Sequence, residues 1–563
     1  VNQRTTYGAC VRDHWALLPI VAFATLLRLW QINESLWLDE LHSAWVVSGG
    51  LLEIVERAQI GNQSPLYFYL PWLTTSLFGM SEWALRLPSL IAGLGFVILA
   101  YKLAFEFTRS RIAAIACATL AAMDHNFLFY STEVRPYACV QLVAAIQLLI
   151  FWRLQAAASF RSRAIFVVST VLLFYLHYTA ILLVAGEVVY VLARRWCQNE
   201  CAYTWRAIAV DLLCAAAMTV PAVVHVFDVG ARREAWASFI TDTTLIRPAY
   251  WFSLDSYIAF PTIVCLIVGA FKVAITLRRD EPIRSGSTFK AMFDYCSNVR
   301  CSGSSRRSLT ATILLVCWFV TPLAIVWLLT VTDIARLYLG RYVIGAALAP
   351  LLLTGIFVVV CGSRKLQALA ASVIIAYEVY SSGMIEQVRF DGRLFADRAE
   401  NWRDAVDYVN AHRIPGPPVF VRSGLIEADR LSTDNSELLR SYCNSPVTSI
   451  YHVNAADDEI RPLTTYHAGK LSKADVEQIE ATGSAWFIIN GSTATRERCA
   501  ERILESLAKE IKEATYSKYR QGCVSDERQF GHVGTFRVVL YTVDENVTHL
   551  DDQPTSPSSI APP

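Results

Sequence analysis

The sequence predicts a polytopic α-helical membrane protein of about eleven transmembrane helices, followed by a C-terminal α/β domain. Three observations carry that expectation. Of the 563 residues, 54% are hydrophobic and only 18% charged, with a mean hydropathy of +0.36. Soluble domains hold about 45–50% apolar and about 25% charged residues. The apolar residues are gathered in runs of about 20, the length that crosses a bilayer as a helix. After about residue 385 these runs stop, and short apolar strands alternate with amphipathic helices. The same figures exclude a largely disordered chain, and a formal net charge of +1 leaves no basic footprint for nucleic acid. The 15 Trp, 24 Tyr and 27 Phe suit a protein whose rings settle at the lipid–water boundary.

Taken in chain order, the expected spans lie at 15–30, 82–107, 112–129, 137–154, 164–178, 179–193, 207–226, 254–277, 311–331, 342–361 and 366–384. The first is not read as a cleaved signal peptide, because no small-residue cleavage site follows it. Basic turns stay in the cytoplasm. Arg4 and Arg12, the turns with Lys102, Arg109 and Arg111, with Arg153, Arg161 and Arg163, and with Arg194, Arg195 and Arg206, the loop 278–310, and Arg364 with Lys365 all fall on one side. That places the N-terminus inside and everything after the eleventh span outside, as in a plasma-membrane protein. Residues 1–384 form the membrane domain, with a first outer loop at 33–81. Residues 385–548 form the outer α/β domain and 549–563 a disordered tail.

In the outer domain, RDAVDYVNAHR, KADVEQIEAT and ERCAERILESLAKEIKEA read as helices, and PVFVRS, SAWFIIN and FRVVLYTV as strands. It has no glycine-rich nucleotide loop. Asn490 and Asn546 head Asn-x-Ser/Thr sequons. The pairs Cys197/Cys201 and Cys296/Cys301 flank basic loops without zinc-knuckle spacing, and two of Cys443, Cys499 and Cys523 could pair in an exported domain. No repeat of 20–50 residues is present.

The chemistry-bearing residues gather on the outer face. In NESLWLDELHSAW, Asp39 and Glu40 stand at a helix start just outside the first span. A carboxylate there can act as general base or hold a divalent cation. A pair favoured only by the helix dipole is the structural alternative. The run Pro65–Phe78 is too short and Pro-punctuated to span, and reads as an interfacial helix. DHNFLFYSTEVRPYA brings Glu133, Arg135 and Tyr137 to the same face, LFYLHYTAILL brings His177 and Tyr178, and DIARLYLGRYV brings Arg336, Arg341 and Tyr342. Arginines outside run against the charge bias. An anionic ligand would explain them, and so would pairing with Asp333 or Asp39.

SLWLDELHSAW, SPLYFYLPWLTTSLFGMSEWALRLPS, YSTEVRPYACVQL, FYLHYT and GRYVIGAALAP, in this order, resemble the polyprenyl-phosphate-sugar-dependent glycosyltransferases of the GT-C fold. The similar groups are bacterial relatives of the dolichyl-phosphate-mannose protein mannosyltransferases and of the lipid A aminoarabinose transferase. The resemblance covers roughly residues 15–360, and NWRDAVDYV resembles the opening of the C-terminal domain in such relatives. It implies a polyprenyl-phosphate-linked sugar donor, an envelope acceptor and an inverting displacement. Asp39 would be the general base or acceptor orienter and Glu40 its partner. Arg135 and Arg341, with Tyr137 and Tyr342 beside them, would hold the leaving phosphate. Glu133, His177, Tyr178 and Arg336 are further candidates. A divalent cation, magnesium or manganese, stays open, with Glu40 as its candidate ligand. Gln63 and Ser64 stand where some lipid A transferases carry Glu-Lys, so the sugar is not named. The competing expectations are a lipid or sugar transporter and a membrane-anchored assembly protein.

Overall fold

The computed structural model describes residues 15–196, 202–231, 240, 242–278, 303–394, 400–434, 436–463, 471–510, 524–530 and 536–542. Cys197, Cys201, Cys296, Cys301, Cys523, Asn546 and the tail from 549 lie outside them. The chain divides into two units. One comprises Val1–Glu34 and Asp39–Arg398, the other Ser35–Leu38 and Ala399–Pro563. The boundary falls after Arg398 rather than at 384, because the chain continues into a helix at Met384–Asp391.

The first unit is helical. Among the described residues, five helices are long and apolar enough to cross a membrane: Glu82–Thr108, Tyr137–Leu154, Trp205–Ala231, Arg307–Val331 and Gly340–Val360. Two bent pairs raise the number to seven, and Leu17–Trp30 and Asp255–Phe271 are shorter apolar helices. Their outward faces are apolar: Leu213, Phe227, Leu266 and Leu328 are among the exposed residues. Such a surface suits lipid, since water would not tolerate so much contiguous apolar area.

Local sequence explains where the helices start and break. Ser110, Ser159, Thr204 and Ser363 each accept a hydrogen bond from a backbone N–H in the first turn of the helix that follows. Each sits beside a basic turn, so the polar turns also supply the caps. The expected span 112–129 is broken. The helices Arg111–Met123 and His125–Ser131 meet at 59°, because the Asp124 carboxylate accepts from the Phe127 N–H at 2.9 Å and starts a new helix. At Gly383, with φ +66°, the chain bends 44° between Arg364–Ser381 and Met384–Phe390. Pro65–Phe78 forms a short 3₁₀ turn, Leu66–Phe68, and a helix, Tyr69–Phe78.

The second unit is an α/β fold around a five-stranded sheet. Its strands are β1 Val419–Arg422, β2 Ile460–Pro462, β3 Ser484–Asn490, β4 Val524–Phe530 and β5 Phe536–Thr542. Their order is β2-β1-β3-β5-β4, with β1 parallel to β2 and β3, and β5 antiparallel to β3 and β4. The sequence reading lacks β2, which has three residues, and β4, whose VSDERQF carries no apolar alternation. Phe420 and Phe487 stack at 4.9 Å across β1 and β3, over a core containing Val476, Ile479 and Ile503. Asn490 is buried and its amide donates to the Ser423 carbonyl, so this sequon is not displayed as a surface asparagine.

Ser35–Leu38 belong to this second unit. The Leu36 N–H donates to the Tyr451 hydroxyl at 2.8 Å. The Leu38 N–H donates to Glu400 Oε2 at 2.9 Å, which also accepts from the Trp402 indole at 2.8 Å. NWRDAVDYV therefore opens the helix Trp402–His412 beside a clasp for residues far upstream.

In the first unit, helices approach closely at small residues, as membrane helices do. A Cβ on Gly186 would lie 2.7 Å from Trp318 Cα and 2.8 Å from the Cys317 carbonyl oxygen, both backbone. Gly186→Ala is expected to destabilise by about 1–3 kcal/mol, read as a lower melting temperature in detergent. Gly269→Ala, where a Cβ meets nothing within 4 Å, should leave it unchanged or raise it. Equal melting temperatures for both variants would refute the close approach.

Candidate active site

The site lies within the first unit and is organised by a buried ion pair. The helix Leu38–Ser48 starts with Asp39 and Glu40 in its first turn. Glu40 turns inward. Arg86 Nε donates to its Oε1 at 2.8 Å and Nη2 to its Oε2 at 2.6 Å, with both side chains fully buried. Arg86 Nη1 also donates to the carbonyls of Ile32 and Glu34, at 2.8 and 2.7 Å. Glu40 Oε1 accepts in addition from the Val134 N–H at 3.0 Å. Four chain segments are thus joined at one pair. The pair is bidentate and further hydrogen-bonded, which is what two charges need in a low-dielectric interior.

This pair places the loop that carries Arg135. The Ser43 hydroxyl donates to the Val134 carbonyl at 2.7 Å, and the Ser89 hydroxyl to the Arg135 carbonyl at 3.2 Å. Tyr67 Oη lies 2.8 Å from Ser89 Oγ. With its backbone fixed, the buried Arg135 directs its guanidinium to Asp39, Nη1 to the backbone carbonyl at 3.3 Å and Nη2 to Oδ2 at 3.7 Å. Arg341 reaches the same Oδ2 with Nη1 at 3.3 Å. Two guanidiniums therefore share one carboxylate oxygen. The Asp39 side chain is 29% exposed, and its Oδ1 takes no hydrogen bond among the described residues. Nε of Arg135 and of Arg341 likewise has no acceptor among them.

Aromatic rings line the approach. Tyr130, Tyr137, His177 and Tyr342 follow one another with centroids 5.0, 5.9 and 5.7 Å apart, and Arg341 lies over the Tyr342 ring at 5.7 Å. The Thr179 hydroxyl sits 2.8 Å from His177 Nδ1 and donates to the Tyr342 carbonyl at 2.6 Å. A cavity opens here with His177, Arg341 and Tyr342 at its polar side and Val140, Leu183, Pro322 and Ile344 at its apolar side.

The electrostatics follow from this arrangement. Burial would raise the Asp39 carboxyl, but Arg135, Arg341 and His42 outweigh it and hold it below the usual carboxylate range. Burial works against the Arg135 charge too, and Asp39 more than offsets it. Burial, with Arg135 nearby, pushes His42 down to about 3, so its imidazole is neutral at physiological pH.

The sequence candidates thus separate. Asp39, Arg135, Arg341, Tyr137, Tyr342 and His177 come together. Glu133 is buried close enough for its charge to act on Arg135. Glu40 commits both oxygens to Arg86 and sits behind the site rather than in it. Among the described residues no three His, Cys, Asp or Glu side chains form a metal-ion cluster. Tyr178 points to His225 Nδ1 at 2.6 Å, and Arg336 pairs at the surface with Asp333 at 2.9 Å. Two residues of the quoted motifs were given no role in the sequence reading. Arg86 carried a signal: a lone arginine in the apolar helix Glu82–Thr108 needs a partner. His42, with Nδ1 3.5 Å from Arg135 Nη1, carried none.

Two outcomes are expected. Glu40→Gln leaves the buried Arg86 without its counter-charge and costs about 3–5 kcal/mol, seen as a large fall in melting temperature; a stable variant would show that the pair is not the anchor. His42 titrates in the fold well below the ordinary 6.5, so the unfolded chain binds its proton first. Stability should be full above pH 6.5 and decline as pH falls from there toward about 3, by up to about 1.4 kcal/mol per pH unit. Thermal unfolding from pH 7.5 to 5 checks it, and His42→Gln should flatten the slope.

Comparison with known proteins shows what the chain is similar to. Among solved structures, ArnT from Cupriavidus metallidurans bound to undecaprenyl phosphate is 12% identical, with a TM-score of 0.47 over 93% of this chain and 97% of that one. The archaeal oligosaccharyltransferase AglB from Archaeoglobus fulgidus, in complex with an inhibitory peptide and a dolichol-phosphate, is 12% identical. Its TM-score is 0.44 over 96% of this chain and 75% of that one. No curated protein matches. Residues 62–221 match the family described as dolichyl-phosphate-mannose-protein mannosyltransferase. That stretch holds Arg86, Arg135, Tyr137 and His177, and Asp39 and Arg341 flank it. Over this segment the chain is similar to the family described as dolichyl-phosphate-mannose-protein mannosyltransferase.

Proposed function

We propose that this protein transfers a sugar from a polyprenyl-phosphate donor to an envelope acceptor at the outer face of a membrane, with inversion. The observation that carries the reading is the convergence of Arg135 and Arg341 on one oxygen of Asp39 beside a cavity with an apolar wall. The family match over residues 62–221 supports the same class of reaction.

The chemistry follows from the charges. The acceptor hydroxyl attacks the anomeric carbon while Asp39 takes its proton. The bond from that carbon to the phosphate oxygen breaks, and polyprenyl phosphate leaves with the electron pair. Asp39 is a weak base while two guanidiniums grip it. A donor phosphate that draws Arg135 and Arg341 toward itself loosens that grip and restores basicity when the acceptor needs it. The same arginines then face the charge that grows on the leaving phosphate. The tyrosines beside them flank the sugar-phosphate. An eleven-span arrangement, with the N-terminus inside and the second unit outside, is supported by the Lys/Arg distribution along the chain. That topology puts Asp39 where nucleotide sugars are absent and a lipid-linked donor is needed.

Purified protein in nanodiscs, given polyprenyl-phosphate mannose, glucose or arabinose with an envelope extract as acceptor source, should release polyprenyl phosphate from one donor. Parallel reactions with magnesium, manganese or EDTA decide whether a cation takes part. Asp39→Asn should lower turnover by about 100-fold or more with the fold intact. Arg341→Ala should lower kcat/KM by a similar factor, from the lost phosphate contact. Release at the wild-type rate by Asp39→Asn would remove it from the mechanism. No release from any donor would favour the transporter reading.

A further inference from the structure

Trp251 carries no charge and is remote in sequence from both arginines, yet it touches the segments that bear them. It ends the short helix Arg247–Trp251. Its indole lies against the backbone of Gly340: a Cβ there would come within 2.8 Å of Trp251 Cγ and 3.1 Å of its Cβ and Cδ2. Gly340 is not among the positive-φ residues, so what excludes a side chain is the indole and not the backbone conformation. The same ring meets Tyr338 edge-on, with centroids 4.9 Å apart at 62°. From the other side, Thr330 Oγ1 accepts from the N–H groups of Leu337 and Tyr338, each at 2.9 Å. The stretch 337–340 is therefore held between Thr330 and Trp251, and Arg341 is the next residue. The Trp251 carbonyl accepts from Asn126 Nδ2 at 3.3 Å, and Asn126 lies in the helix His125–Ser131 that leads to Arg135. Phe252, 2% exposed, packs edge-on against Phe319 at 5.3 Å and fixes the tryptophan's own backbone.

We propose that Trp251 is a positioning residue for the arginine pair. It sets the Arg341 backbone through Gly340 and Tyr338, and ties it through Asn126 to the segment carrying Arg135. The inference rests on the reading of the site as the place where the donor phosphate is held. Arg341 is a long side chain, 35% exposed, with one partner oxygen on Asp39. Its charge stabilises a leaving phosphate only if it is already in place when that charge develops. A rigid backbone at residues 338–340 provides this, where a mobile loop would have to reorganise in every turnover.

The test uses the full chain in nanodiscs. Two quantities are read: equilibrium binding of undecaprenyl phosphate, and kcat and KM with the donor that the wild type uses. Trp251→Ala should weaken binding and lower kcat/KM by about 10- to 100-fold, with a melting temperature close to wild type. Trp251→Phe should restore most of the loss. Gly340→Ala should show a similar defect, and the double variant Gly340→Ala/Trp251→Ala should be no worse than Trp251→Ala, because the steric conflict has gone. Wild-type binding and kinetics in Trp251→Ala would overturn the proposal, and so would losses that multiply in the double variant. If Trp251→Ala does not fold, Gly340→Ala alone is read by the same binding and kinetics, and wild-type values there would overturn the proposal. A wild type that neither binds undecaprenyl phosphate nor turns over any donor would instead overturn the reading of the site.

Discussion

The buried contact between Glu40 and Arg86 is the constraint on which the rest of the site depends. It is the one place where the Asp39 helix, the loop at Ile32–Glu34, the helix Glu82–Thr108 and the Arg135 loop are joined by charge-assisted hydrogen bonds. Two adjacent acids on a helix cannot face the same way. Anchoring Glu40 inward therefore leaves Asp39 facing Arg135 and Arg341. The orientation of Asp39 follows from the neutralisation of its neighbour.

From that anchor the electrostatics build outward in layers. A balanced pair with no exposure sits innermost, then one carboxylate shared by two guanidiniums, then rings, then apolar side chains. His42 is neutral because Arg135 beside it and its own burial disfavour a further cation. The positive charge of the site is thereby confined to groups that stay charged at any physiological pH. A site that grips phosphate gains from this, since its binding strength does not drift with the pH of the medium.

The sequence displays the charges well and their partners poorly. Asp39, Arg135 and Arg341 are legible because each stands against its surroundings: an acid at a helix start, and arginines on the side from which the charge bias excludes them. The broken span at Asp124 is not legible as a break, because hydropathy averages over a cap made by a single carboxylate. The reversal of Glu40 is hidden as well. Its partner lies 46 residues away in a helix whose own pattern is apolar, and only tertiary packing brings them together. In the second unit, apolar strands are readable by alternation. β4 and β2 form because a neighbour's backbone offers hydrogen bonds, which composition does not record.

Residues Ser35–Leu38 give the chain an unusual architecture at the level of its gene. A stretch of four residues inside the membrane half is folded as part of the C-terminal half, with Tyr451 and Glu400 as its hydrogen-bond partners. The two halves are therefore not interchangeable modules. A recombinant that replaces everything after Arg398 with the equivalent from a relative inherits Leu36 and Leu38 from one parent and their clasp from the other. Exchange of the half after Arg398 would have to bring a matching tetrapeptide some 360 residues upstream. Inheritance of the C-terminal half and of the segment next to Asp39 is linked, and the two are expected to change together.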